Sequence, residues 1–181
     1  MLKKINLFLT LFITLLSTLS LLKIDNKNII VKTIKTNKPV IISKIIKQEE
    51  KPIGNIIINK IGINKPLYSI NSNHNNIEEN ITILDGSIYP DRNNSILFIA
   101  AHSGTGEIAF FNDLDKLKIN DEIIINYNNK KYTYQINNIY EQQKNGYISG
   151  IRENKKQLVL TTCCPNKDNC QLIINSTEKE S

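Results

Sequence analysis

Two residues in this sequence pair reactive chemistry with a placement that can present it. His102 directly follows the apolar run 95–101, and Ser, Gly, Thr and Gly come after it. Cys163 directly follows a second strand-like run, 157–162. A thiol attacks as the thiolate and needs an acid–base partner close in space, so their separation along the chain is no obstacle. Strand ends open onto loops, where a rigid scaffold presents functional groups. Taken singly, each residue has a plainer reading. A histidine at a strand end is usually structural, and an isolated cysteine usually packs as a small hydrophobe. The pair, at the ends of two such runs, points to covalent catalysis. His74 lies in the run Asn-Ser-Asn-His-Asn-Asn and reads as a solvated loop residue.

The sequence has three cysteines, Cys163, Cys164 and Cys170. Together with His102 they would make four zinc ligands, but adjacent cysteines seldom both reach one metal, and no C-x-x-C pair is present. The other reading is a disulfide between Cys164 and Cys170 in an oxidising compartment, which leaves Cys163 free. No cofactor is expected.

The elements that must position this pair are short. Strand-like runs recur between turn signals at 54–59, 66–70, 81–85, 95–101, 121–127, 131–140, 157–162 and 170–175. Tyr132, Tyr134 and Ile136 alternate with polar residues, the pattern of a half-buried strand. The run 95–101 is almost wholly apolar, as suits a strand covered on both faces. Residues 107–117 carry apolar side chains at 108, 110, 111, 114 and 117, which predicts one short helix. Eight short strands and one helix predict an all-β fold, a barrel or sandwich.

Ile, Lys and Asn number 34, 21 and 26 of 181 residues, so a single Lys or Asn carries little signal by itself. Net charge is +6. Residues 1–52 hold 10 lysines and 3 acids (+7), whereas residues 53–181 hold 13 basic and 14 acidic residues (−1). A near-neutral folded region lacks the basic patch expected of a nucleic-acid binder. The abundance of charged and Asn residues excludes a polytopic membrane protein.

The excess positive charge accompanies an uncharged run at residues 5–22. As a helix it reaches roughly 27 Å, close to the ~30 Å hydrocarbon core. The expected organisation is an anchor at 1–22, a Lys- and Asn-rich stalk at 23–52, one domain at 53–175 and a polar tail at 176–181. The alternative is a cleaved signal, for which Ser17, Thr18, Leu19 and Ser20 make a poor cleavage site, and no Cys follows the run as a lipoprotein would require. Lysines outnumber on the C-terminal side of the run, which by charge alone places the domain in the cytoplasm.

Residues 53–175 resemble the sortase family, the cysteine transpeptidases of the Gram-positive surface. The resemblance is carried by residues 53–68, by Ala100, Ala101, His102, Ser103, Gly104 and Thr105, by residues 110–124, and by Val159, Leu160, Thr161, Thr162 and Cys163. The last segment is similar to the family's TLxTC motif, with Val159 in place of its first Thr. The resemblance implies a closed eight-stranded β-barrel with one short helix, preceded by a membrane helix and stalk. It implies Cys163 as nucleophile, His102 as proton shuttle, and substrate contacts at Ala101, Thr161 and Thr162. Gln171 falls where the family places an Arg, so it is the expected donor to a substrate carbonyl or oxyanion. The implied substrate is a sorting-signal peptide of the LPxTG kind. The implied acceptor is an amine of peptidoglycan or of another, pilin-like protein. An extracytoplasmic domain follows, overriding the lysine count. The connection 137–157 is too short for the helical insertion of class B enzymes and fits a compact class A- or D-like form. Acidic loops hold calcium in some members of the family, which makes Glu78, Glu79 and Glu107 candidate calcium ligands by resemblance, although their spacing reads better as solvated side chains. The alternative is a degenerate domain of the same fold that binds sorting-signal peptides without forming a thioester.

Overall fold

The computed structural model describes residues 50–148 and 154–179. The expected anchor at 1–22 and nearly all of the stalk lie outside them. Among the described residues no helix is long and apolar enough to cross a membrane.

Eight strands form one sheet: β1 (Gly54–Ile58), β2 (Ile63–Leu67), β3 (Thr82–Ile83), β4 (Ile96–Ala100), β5 (Glu122–Tyr127), β6 (Lys130–Gln143), β7 (Gln157–Cys163) and β8 (Cys170–Glu178). Their order is β2-β1-β5-β6-β8-β7-β4-β3. The sheet curls into a nearly closed barrel. Full closure was the expectation, but β2 and β3 are its two edges and do not pair. With only two residues, β3 has little ladder to offer beyond its pairing with β4.

Alternation along the strands builds the core, because successive side chains point to opposite faces. Ile56 and Ile58 of β1, Ile123 and Ile125 of β5, Tyr132, Tyr134 and Ile136 of β6, and Leu158 and Leu160 of β7 all enter one buried cluster. A smaller cluster lies on the opposite face of the same sheet. It joins Ile96, Val159 and Ile173, with Phe98, Tyr140 and Ile148 packed against it. The strand expected to be covered on both faces is therefore β4. The β5–β6 hairpin turns on Asn128 and Asn129, both at positive φ, a conformation that Asn tolerates better than most residues.

The expected helix at 107–117 is replaced by turns and a single 3-10 turn, Leu114–Lys116. The buried residues of the segment 107–117 are Phe111, Leu114 and Leu117, a spacing of three that matches three residues per turn rather than 3.6. A second 3-10 turn, Asn59–Ile61, links β1 to β2. Strand β8 continues to Glu178, into the segment expected to be a tail, and Ser176 is buried with its hydroxyl donating to the Leu158 carbonyl.

Candidate active site

Strands β4 and β7 are parallel neighbours, with Ala100 opposite Thr161. Continuing that register by two residues brings His102 level with Cys163. The strand ends are tied beyond the last paired rung. The Ala101 amide donates to the Thr161 carbonyl at 3.4 Å, and the Thr162 hydroxyl donates to the Ala101 carbonyl at 2.8 Å. The Ser103 hydroxyl donates to the Cys163 carbonyl at 2.8 Å. The His102 carbonyl accepts from the Phe111 amide at 2.9 Å. Because the Phe111 ring is buried, the loop after β4 is held by the core itself.

The two reactive groups have different polar partners. His102 Nε2 lies 3.3 Å from Glu78 Oε1, and the two side chains are 36% and 70% exposed. Cys163 is a free, half-buried thiol. The Lys144 ammonium sits 3.6 Å from its sulfur. Among the described residues no hydrogen bond joins the His102 ring to the sulfur. The site thus has a carboxylate on the imidazole, a cation on the thiol, and the backbones of both residues fastened side by side. In the sequence Glu78 reads as a solvated carboxylate or a calcium ligand, and Lys144 is one of 21 lysines with nothing to mark it.

Gln171 stands opposite Cys163 in the β7–β8 ladder. Its amide nitrogen donates to Thr161 Oγ1 at 2.9 Å, and its amide oxygen is buried without a partner. Ala101, Thr161 and Thr162 are all buried. The structure brings these residues to the site, with both threonine hydroxyls engaged inside the protein.

The sequence pattern of the Sortase domain family matches residues 56–178. The chain belongs to the sortase family. Solved sortases are similar in fold. Sortase C1 from Streptococcus agalactiae is 28% identical with a TM-score of 0.61, covering 72% of this chain and 68% of that one. The lid mutant of sortase A from Corynebacterium diphtheriae is 24% identical with a TM-score of 0.65, covering 75% and 74%. Streptococcus pneumoniae sortase C, a structure described for its pilin substrate specificity, is 24% identical with a TM-score of 0.63, covering 72% and 67%. None of the curated proteins matches the chain. The family is one of cysteine transpeptidases, and this chain is an enzyme of that kind.

In this sortase domain Cys164 and Cys170 are joined in a disulfide. The bond closes the β7–β8 turn next to the nucleophile. The turn is further set by the Cys164 amide donating to the Cys170 carbonyl and by positive φ at Asn166 and Asn169. With those two sulfurs bonded to each other, the four-ligand zinc set is not available. Glu78 faces His102 while Glu79 faces His74 at 3.9 Å, so these two acids are turned to different partners.

The sheet face that carries Cys163 is apolar further along the strands. Val159, Thr161 and Cys163 share one side of β7, and Val159 belongs to the outer cluster with Phe98 and Ile148. Beside it is a cavity of about 390 Å³ lined by Leu84, Asp85, Phe98, Gly146, Tyr147 and Ile148. From Val159 to Cys163 is roughly 13 Å at about 3.3 Å per residue, the span of four extended residues.

Proposed function

We propose that this sortase domain cleaves an LPxTG-like sorting signal and transfers it to an amine of the cell wall or of another protein. Cys163 attacks the scissile carbonyl. His102 protonates the leaving amine, and a thioester holds the acyl group on sulfur. His102 then takes a proton from the incoming amine as it displaces the sulfur. The observation that carries this reading is the parallel pairing of Ala100 with Thr161, which sets His102 and Cys163 level at the same end of adjacent strands. The cavity beside Phe98, whose partner Val159 lies four residues along β7 from Cys163, fits the aliphatic far end of a short extended peptide.

The test is thioester trapping. The full chain incubated with an LPxTG-containing peptide should gain the mass of the acyl fragment. Cys163→Ala should gain nothing, and His102→Ala should accumulate none on the wild-type timescale. A wild-type protein that binds the peptide but never gains mass would establish the binding-module alternative instead.

The same reading places the domain outside the cytoplasm, with residues 5–22 as the anchor, because sorting signals and their amine acceptors are found there. A thiol label that cannot cross membranes should reach Cys163 in intact cells. Labelling only after lysis would place the domain on the other side.

A further inference from the structure

A thiolate and the tetrahedral oxyanion formed after its attack are both anions, and a half-buried site must supply positive charge to hold them. The residue opposite the nucleophile, Gln171, carries no charge, and its amide is turned back to Thr161, two residues before the sulfur. The positive group at the sulfur is Lys144.

We infer that Lys144 is a catalytic residue of this domain, its ammonium being the fixed positive charge that faces the Cys163 sulfur once the thiol has given up its proton. The inference rests on the transpeptidase reading only for the later steps. The contact with the sulfur stands without it.

Three features place this lysine. Strand β6 runs to Gln143, opposite Cys170 of β8, and the Lys144 amide extends that ladder by donating to the Asn169 carbonyl at 3.0 Å. Lys144 is therefore fixed at its backbone rather than carried on a free loop. Its position has the same parity as Gln142, which stands opposite Gln171, so the side chain leaves the sheet face that carries Cys163. Strand β8 lies between β6 and β7, a distance of roughly 10 Å from strand to strand. A lysine is long enough to cross one strand, and the Lys144 ammonium does reach the Cys163 sulfur while the Gln171 amide is held on Thr161.

The charge is also uncommitted. Lys167, in the neighbouring β7–β8 turn, is paired with Glu141 at 2.5 Å. Lys144 makes no ion pair among the described residues, and its ammonium contact is the Cys163 sulfur at 3.6 Å. In the first step the S–H bond of Cys163 breaks, the proton passes to the His102 imidazole, and the electron pair stays on sulfur between imidazolium and ammonium. Lys144 keeps its protons throughout.

The experiment measures alkylation of the full chain by iodoacetamide at a fixed neutral pH, beside thioester formation from the LPxTG peptide. Cys163 is the free thiol of the chain, and Cys163→Ala gives the background. Lys144→Met should slow alkylation about tenfold, the scale of one unit charge near 4 Å in a dielectric close to that of water, while thermal stability stays at the wild-type value. Lys144→Arg should keep the rate within about threefold, since charge and reach are retained. An unchanged rate in Lys144→Met overturns the inference, and so does an equal loss in the Met and Arg variants. Alkylation needs no peptide. If it falls as expected while the wild type forms no thioester, the sorting-signal reading fails and the Lys144 assignment stands.

Discussion

The Thr162 hydroxyl donates to the Ala101 carbonyl across 61 residues of sequence, one residue before the nucleophile on one strand and one before the imidazole on the other. This bond is buried, and it ties the ends of β4 and β7 where the ladder gives out. Thr162→Val keeps the shape and leaves the Ala101 carbonyl without that donor, at a cost of about 1–3 kcal/mol. Melting temperature should fall, and turnover should fall further than stability explains, because the two reactive residues lose their shared register. Thr162→Ser should restore both. Equal turnover in the Val and Ser variants would show that the register does not depend on this bond.

Glu78 is the carboxylate on His102, and the pair is largely open to water. Exposed pairs are worth roughly 0.2–1 kcal/mol. Glu78→Gln should therefore reduce turnover by about threefold and leave the melting temperature unchanged. A loss of a hundredfold or more in steady-state assays would mean that Glu78 does more than orient the ring.

The Cys164–Cys170 bond closes a short loop beside the nucleophile. On chain-entropy grounds such a loop contributes roughly 2 kcal/mol. Replacing both cysteines by serine should lower the denaturant midpoint accordingly. Transpeptidation should drop as well, because Cys163 precedes the bridged residue directly. Retention of full activity in the double variant would confine the bond to a stabilising role.

Gln171 pairs with Cys163 and donates its amide to Thr161. Gln171→Arg adds a second cation beside the sulfur and should raise turnover. The gain should be greatest in the Lys144→Met background, where the added guanidinium replaces the missing charge. If Gln171→Arg loses activity in both backgrounds, Gln171 has a role that a cation cannot fill.

Much of this arrangement was legible because alternation and turn chemistry act locally. Seven of the eight expected strands were placed within a few residues of their observed positions, and His102 and Cys163 stand at two of the strand ends. The displaced strand is β2, expected to begin at Pro66. In the structure Pro66 lies inside the strand, opposite Asn55. An edge strand with one neighbour tolerates the missing N–H, and edge position is a property of the whole sheet. The helix was misread because Phe111, Leu114 and Leu117 satisfy either period over so short a stretch. Strand β6 outran expectation because a register shift between Ile136 and Asn138 breaks the alternation that would have marked its second half. Lys144 was hidden for the same reason. It falls just past that unread half, and in a chain with 21 lysines one more gives no signal until the fold sets it beside a sulfur. The asparagines were discounted as background too, yet several hold the positive-φ turns, including two in the turn after the nucleophile.

Tyr134 shows where the barrel interior can be improved. Its side chain is fully buried on β6, and its hydroxyl has no hydrogen-bond partner. Burial, followed by the nearby Glu178 and Tyr132, holds its phenol well above the ordinary tyrosine range, so the hydroxyl stays neutral at any working pH. A buried polar group without a partner costs free energy, and removing it while keeping the ring is neutral or favourable. Tyr134→Phe should leave the melting temperature unchanged or raise it, by no more than about 1 kcal/mol in equilibrium unfolding. Turnover should not change, since the side chain points into the core cluster, on the face of the sheet opposite to Cys163. A clear drop in stability would mean that the hydroxyl holds a buried water whose bonds the phenylalanine cannot replace.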